Sequence, residues 1–218
     1  FLTPPSATTP VTLTAGTPVD LRFEIELGAH EDFLAGALSF QFGTEPDAED
    51  HDALIAAAAD AAAKADVALV VVGTNSMVES EGFDRTHMHL PLPQVELLRA
   101  VRRVSRRVAV VLSNGSAVLT SGWQDDADAI LECWLSGQAT GGAVADLLLG
   151  AANPSGRLAE TIPVRHEDSP SYLNFPGDSG HVRYGEGVFV GYRGHDKLEQ
   201  HVSFPFGHGL SYTAFAYD

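Results

Sequence analysis

Hydrophobic and polar positions alternate in the first 45 residues. Within residues 21–27 every second position is Leu, Phe or Ile, separated by Arg or Glu, and residues 38–42 repeat the alternation. A period of two is typical of a half-buried strand, and residues 11–13 predict an earlier strand before a turn. Because two or three strands are too few for a stable sandwich, residues 1–45 are predicted to complete a sheet that begins elsewhere.

Between residues 46 and 163 the pattern changes to helices and buried strands. An alanine-rich helix is predicted at 50–65, with acidic residues at its start, and a second helix opens at Pro93. Residues 67–73, 108–112 and 129–135 are apolar runs, typical of parallel strands buried on both faces. Residues 141–149 predict a third helix that Gly150 ends. We therefore predict an α/β fold, with an open, mostly parallel sheet sandwiched by helices.

Regular periodicity is lost in residues 164–218, which are rich in glycine and aromatic turn clusters. A loop-rich segment of this length is usually functional or wraps a neighbouring domain. The sequence thus divides into three predicted parts: 1–45, 46–163 and 164–218.

The charge balance excludes two classes of partner. The chain carries 29 acidic and 13 basic residues, with a formal net charge of −16. Such a surface repels phosphate groups, so neither nucleic acid nor an anionic membrane is expected as a partner. No apolar stretch approaches the roughly 20 residues of a membrane-spanning helix. Composition leaves both a secreted and a cytoplasmic location open.

Candidate chemistry lies in the loop after the first apolar strand, which contains Glu79, Glu81, Asp84 and Arg85. Open α/β sheets bind ligands beyond the carboxyl ends of their strands, where this loop must lie. Residue types alone favour a solvated acidic loop, although Gly82 permits close backbone approach beside Glu81. Asp84 and Arg85 could form a local ion pair or hold sugar hydroxyls.

The motif Glu81-Gly82-Phe83-Asp84-Arg85, followed by Met88, Leu90 and Pro91, resembles the acid/base loop of family 3 β-glucosidases. Further similar segments follow in the same order at 110–116, 123, 137–138, 145–150, 153–158, 172–175, 184–193 and 204–213. Each segment alone is a weak signal, but the ordered series is specific. Residues 1–45 are also similar to the tail of the protective-antigen-type β-sandwich that some members insert into their α/β domain.

The resemblance implies a retaining, exo-acting β-glycosidase that releases terminal β-linked sugars from glycosides. In the family, a (β/α)8 barrel supplies the Asp nucleophile and the following α/β sandwich supplies the acid/base. The resemblance therefore implies Glu81 as the acid/base, with Glu79 as the rival, and Asp84 and Arg85 as substrate-binding residues. We expect this chain to be one piece of such an enzyme, inactive alone, with residues 164–218 wrapping the active-site rim.

Two alternatives to this function remain, together with two motifs of other chemistry. The substrate could be a glycosylated natural product such as a macrolide, or the chain could be a non-catalytic carbohydrate-binding module.

His87-Met88-His89 resembles a metal-binding pair, but the family has non-ligand residues there, so we expect no metal and no cofactor. Gly177-Asp178-Ser179-Gly180 resembles a serine-protease nucleophile loop, but His181 follows where that motif needs Gly, and we interpret it as a turn.

Overall fold

The structure, a computed structural model, describes residues 9–24, 43 and 50–216. The chain divides into two compact units, with the division between Glu49 and Asp50. In the first unit, residues 9–24 are exposed and contain one turn, in which the Thr17 N–H donates to the Thr14 carbonyl at 3.1 Å.

The strands expected at 11–13 and from residue 21 are not formed within residues 9–24. The remaining alternating positions, from Ile25 to Phe42, lie outside the described residues. The assignment of 1–45 to a β-sandwich therefore stays a prediction.

The second unit begins with helix α1, His51–Ala62. The Asp50 carboxylate caps it by accepting the Ala53 N–H at 3.0 Å, which satisfies one of the donors that a helix start leaves free. The acidic start that the sequence predicted is thus a capping interaction. The helix ends three residues before the predicted limit.

Three parallel strands form the sheet of this unit. They are β1 (Ala68–Gly73), β2 (Val108–Ser113) and β3 (Ala129–Glu132), in the order β1-β2-β3. Helix α2 (Leu92–Val104) connects β1 to β2, and helix α3 (Thr140–Leu148) follows β3. The predicted parallel α/β sheet is confirmed.

The core lies between one face of the sheet and helix α2. Leu98 of α2 packs among Val70, Val110 and Leu112, all of them buried. The prediction that β1 is buried on both faces is wrong, because Leu69 is 49% exposed and Val71 is 65% exposed. Strand β1 lies at the edge of the sheet, whereas Val111 of the central strand β2 is buried.

Strand β3 is shorter than predicted. It ends at Glu132, and two residues later the backbone leaves the extended conformation at Trp134, which has a positive φ of 51°. Non-glycine residues seldom adopt that conformation, and apolar composition gives no sign of it. Beyond α3, Gly150 has a φ of +75°, which confirms its predicted role in ending the helix.

Residues 164–216 contain more regular structure than their composition predicts. Helix α4 spans Tyr192–Lys197, and strand β5 (Val202–Phe204) pairs antiparallel with β4 (Ile162–Pro163). The segment also returns to α3, since the Tyr212 hydroxyl donates to the Leu147 carbonyl at 2.7 Å. In the part of the chain that the structure describes, no helix is long and apolar enough to cross a membrane.

Candidate active site

The carboxyl ends of the three parallel strands lie along one edge of the sheet. The strands are in register, with Gly73 opposite Ser113 and Leu112 opposite Glu132. The loop of residues 74–90 leaves β1, and the segment of residues 114–117, here called the β2 exit, leaves β2. Residues from these two segments and from the end of β3 therefore meet at this edge, as expected for open α/β sheets.

The candidate loop is fixed where it begins. Gln94 of α2 accepts the Gly73 N–H at 2.8 Å and donates to the Gly73 carbonyl at 2.9 Å. The Thr74 N–H donates to the Ser113 carbonyl at 3.0 Å, and further along the Met88 carbonyl accepts the Leu119 N–H at 2.7 Å. The loop is thus bonded to both α2 and the segment after β2.

Glu79 lies at the centre of this edge and is largely buried, with 17% of its side chain exposed. Its Oε1 accepts hydrogen bonds from the Thr74 hydroxyl and the Gly115 N–H, and its Oε2 accepts one from the Ser116 hydroxyl at 2.8 Å. Burial alone would raise the pKa of Glu79, but these three hydrogen bonds and the Arg85 charge together lower it. Glu79 is therefore held as a carboxylate.

Arg85 fixes the other side of the same loop. Its Nη2 donates to the Ala117 carbonyl at 2.8 Å, and its Nη1 lies 3.6 Å from the Oε2 of Glu79. The side chain is 15% exposed, and among the described residues Nη1 makes no hydrogen bond. Of the two roles that the sequence left open for Arg85, the structure contains the ion pair, with Glu79 in place of Asp84.

Glu81 lies between these two anchors. Ser80 and Phe83 form an isolated antiparallel bridge, so residues 80–83 make a tight turn. Gly82 has a φ of +102°, which glycine adopts without the strain that a Cβ would bring. Glu81 and Asp84 are both exposed, and the Glu81 carboxylate is free to meet a molecule that approaches the sheet edge.

A second, half-buried acidic group lies at the same edge of the sheet, and sequence reasoning missed it. Glu132, the last residue of β3, accepts the Trp134 N–H at 2.9 Å. Burial raises its pKa to about 7, and the charge of Glu160 adds to this against the opposing hydrogen bonds from Trp134 and Asn114. Asn114 is fully buried, and its Oδ1 has no donor among the described residues. The position of Glu132 at the end of an apolar strand was the available signal.

The structure also describes the two other motifs singled out in the sequence. His87 and His89 lie with ring centroids 5.7 Å apart, and the described residues contain no group of three His, Cys, Asp or Glu side chains that could hold a metal. Ser179 lies in a turn closed by hydrogen bonds between the backbones of Asp178 and His181. That turn agrees with the interpretation made from the sequence.

Comparison with known proteins identifies the family. Residues 6–212 match the glycosyl hydrolase family 3 C-terminal domain. The chain is 54% identical over 164 residues to thermostable beta-glucosidase B of Acetivibrio thermocellus, covering 75% of this chain and 22% of that protein. It is 46% identical over 190 residues to an exo-alpha-(1->6)-L-arabinopyranosidase of Bifidobacterium longum, covering 87% of this chain and 24% of that protein.

A solved structure agrees with these relatives. The crystal structure of a GH3 beta-glucosidase from Bifidobacterium adolescentis superposes with a TM-score of 0.74 at 50% identity, covering 81% of this chain and 26% of that one. The chain thus spans about a quarter of the length of the relatives it matches. On this evidence, the chain belongs to the glycosyl hydrolase family 3 C-terminal domain family.

Proposed function

We propose that this chain is the C-terminal part of a retaining, exo-acting β-glycosidase, and that Glu81 is its general acid/base. One observation carries the assignment of the residue. Of the two glutamates in the candidate loop, Glu79 is bound to partners within the chain, whereas Glu81 is exposed at a turn held between two anchors. The names of the relatives support the reaction class.

The chemistry requires a second carboxylate from outside this chain. A retaining glycosidase places two carboxyl groups about 5–5.5 Å apart, one to attack the anomeric carbon and one to protonate the leaving oxygen. Glu81 would protonate that oxygen and then take a proton from the water that releases the sugar. We propose that a (β/α)8 barrel in the rest of the polypeptide supplies the nucleophilic Asp.

Glu79 is less suited to this role. A general acid must hold a proton at the working pH, whereas the partners of Glu79 stabilise its ionised form and lower its pKa. We also propose that Asp84, exposed beside the turn, accepts hydrogen bonds from sugar hydroxyls. We also propose Arg85 as a substrate-binding residue, although its side chain is largely buried, bonded to Ala117 and paired with Glu79.

The same proposal extends to the domain organisation. Residues 164–218 would wrap the rim of the active site, a role supported by the return of this segment to α3 through Tyr212. Residues 1–45 would belong to an inserted β-sandwich.

The test uses Glu81→Ala and Glu79→Ala in the complete enzyme. We measure kcat/KM, which reports formation of the glycosyl-enzyme, for β-glucosides with an activated nitrophenol and with a poor alkyl leaving group. Glu81→Ala should lose about 10²–10⁴-fold on the poor leaving group, which needs protonation, and far less on the activated one. Azide should restore turnover of the activated substrate and yield a β-glycosyl azide.

Three other results would overturn this assignment. If Glu79→Ala shows the leaving-group dependence and the azide product instead, the acid/base is Glu79. If the complete enzyme binds glucose but turns over no glycoside, the chain belongs to a carbohydrate-binding module. Hydrolysis by the isolated 218 residues would contradict the need for a nucleophile from elsewhere.

A panel of substrates that share one glycone and differ in the aglycone, either a sugar or a macrolide, then decides the substrate class.

A further inference from the structure

We infer that Glu79 is a positioning residue, which holds the turn bearing Glu81 against the β2 exit in its working position. The inference rests on the proposed function of Glu81. Glu79 lies two residues before Glu81 and binds the side chain of Ser116 and the backbone of Gly115. Within its own loop Glu79 also accepts the Thr74 hydroxyl.

The turn is held on both sides. On one side Glu79 joins the loop to residues 115 and 116, and on the other Arg85 donates to the carbonyl of Ala117. Together the two anchors bind three consecutive residues after β2. They also contact each other, with the Nη1 of Arg85 3.6 Å from the Oε2 of Glu79. Displacing one anchor would move the turn relative to the sheet and therefore move the Glu81 carboxylate.

The space above Gly115 shows how closely the carboxylate is seated. A Cβ added at Gly115 would lie 2.7 Å from the Oε1 of Glu79, closer than carbon and oxygen atoms normally approach. The backbone of Gly115 does not have the positive φ that alanine avoids. Gly115→Ala would consequently displace the Glu79 carboxylate without changing any residue of the loop.

The arrangement requires a carboxylate. Each oxygen of Glu79 faces a group that can only donate a hydrogen bond, Gly115 N–H at Oε1 and the Arg85 guanidinium at Oε2. In Glu79→Gln the amide NH₂ must replace one of these oxygens, so either orientation sets two donors against each other. The substitution keeps the size of the side chain, removes its charge and replaces one acceptor with a donor.

The experiment compares Glu79→Gln, Gly115→Ala and the control Glu96→Gln in the complete enzyme. Glu96 is an exposed glutamate of α2, outside the loop of residues 74–90. Glu79→Gln should lower kcat/KM by about 10- to 100-fold on an alkyl β-glucoside and by less than about threefold on a dinitrophenyl β-glucoside, since a misplaced acid affects only the substrate that needs protonation. Gly115→Ala should show the same selectivity, and Glu96→Gln should match the wild type.

The pH profile separates a positioning role from a catalytic one. In Glu79→Gln the basic limb of kcat/KM should persist, because the proposed acid/base Glu81 is still present, and azide should give no glycosyl azide above the wild-type level. Equal losses on both substrates, or none, would show that Glu79 only supports the fold. Loss of the basic limb together with azide trapping would show that Glu79 is itself the acid/base, which overturns the proposed function as well. If Glu81→Ala shows the leaving-group pattern and Glu79→Gln does not, only the positioning role fails.

Discussion

Glu132 offers a prediction whose size follows from the structure. Its carboxyl group lies at the end of β3 beside the fully buried Asn114, and burial raises its pKa from 4.5 to about 7. Burial therefore favours the neutral form of Glu132 in the folded protein, against the opposing hydrogen bonds from Trp134 and Asn114.

The magnitude comes from the difference between the two pKa values. A rise from 4.5 to about 7 is roughly 2.5 units, which corresponds to an upper limit of about 3 kcal/mol because one unit equals 1.36 kcal/mol. Solvent reaches part of this half-buried group and reduces the effect. The unfolded chain loses the proton near pH 4.5 and the folded chain near pH 7, so the stabilisation is complete below about pH 4.5 and lost as pH rises to about 7.

Hydrogen exchange in the complete protein can measure this effect locally. At each pH, the protection of the backbone amides in residues 129–135 is compared between the wild type and Glu132→Gln, which is neutral throughout. Because intrinsic exchange is nearly the same in both proteins at a given pH, the ratio of their protection factors reports the difference between their free energies of opening. The wild type should lose protection relative to Glu132→Gln by up to about 100-fold between pH 4.5 and pH 7.5.

An exposed glutamate serves as the matched control. The ratio of protection between the wild type and Glu96→Gln, a variant on the surface of α2, should stay constant from pH 4.5 to pH 7.5. A ratio between the wild type and Glu132→Gln that does not change with pH would show that Glu132 ionises normally.

Two further predictions concern the stability of the sheet, measured by urea unfolding. Gly73→Ala should cost about 1–3 kcal/mol, because its Cβ would overlap the backbone carbonyl of Ser113, which cannot rotate away, whereas Gly122→Ala, with open space around it, should cost less than about 1 kcal/mol. Leu98→Ala should cost about 2–5 kcal/mol, because Leu98 is fully buried against β1 and β2, whereas Leu92→Ala, at an exposed position of the same helix, should stay within about 1 kcal/mol. If either variant loses no more free energy of unfolding than its control does, the packing described above is contradicted.

The sequence predicts the sheet well where local pattern decides the structure. Strands β1 and β2 are continuous apolar runs, and α2 has its apolar side chains on one face, so their positions follow from residues close together in the chain. The same reasoning overestimated burial at Leu69 and Val71. Apolar residues predict a buried strand, but they do not show which strand lies at the edge of the sheet within this chain.

Elements that depend on distant partners could not be predicted. Strand β4 has only two residues, Ile162 and Pro163, and exists because β5 pairs with it some 40 residues later. Proline rarely lies inside a strand, so the local sequence argues against this element. The pairing is a property of the folded chain, and no local period reveals it.

The candidate site shows the same limit at the level of single side chains. Glu79 and Glu81 lie two residues apart in one acidic loop, and composition gives no reason to assign them different roles. The difference arises from residues 36 and 37 positions further along, Gly115 and Ser116, whose donors bind Glu79 and leave Glu81 exposed. A carboxylate that accepts several hydrogen bonds is stabilised in its ionised form, so the best-connected glutamate is the poorer acid. The more exposed residue is therefore the better candidate for proton transfer, and the buried one is the better candidate for holding it in place.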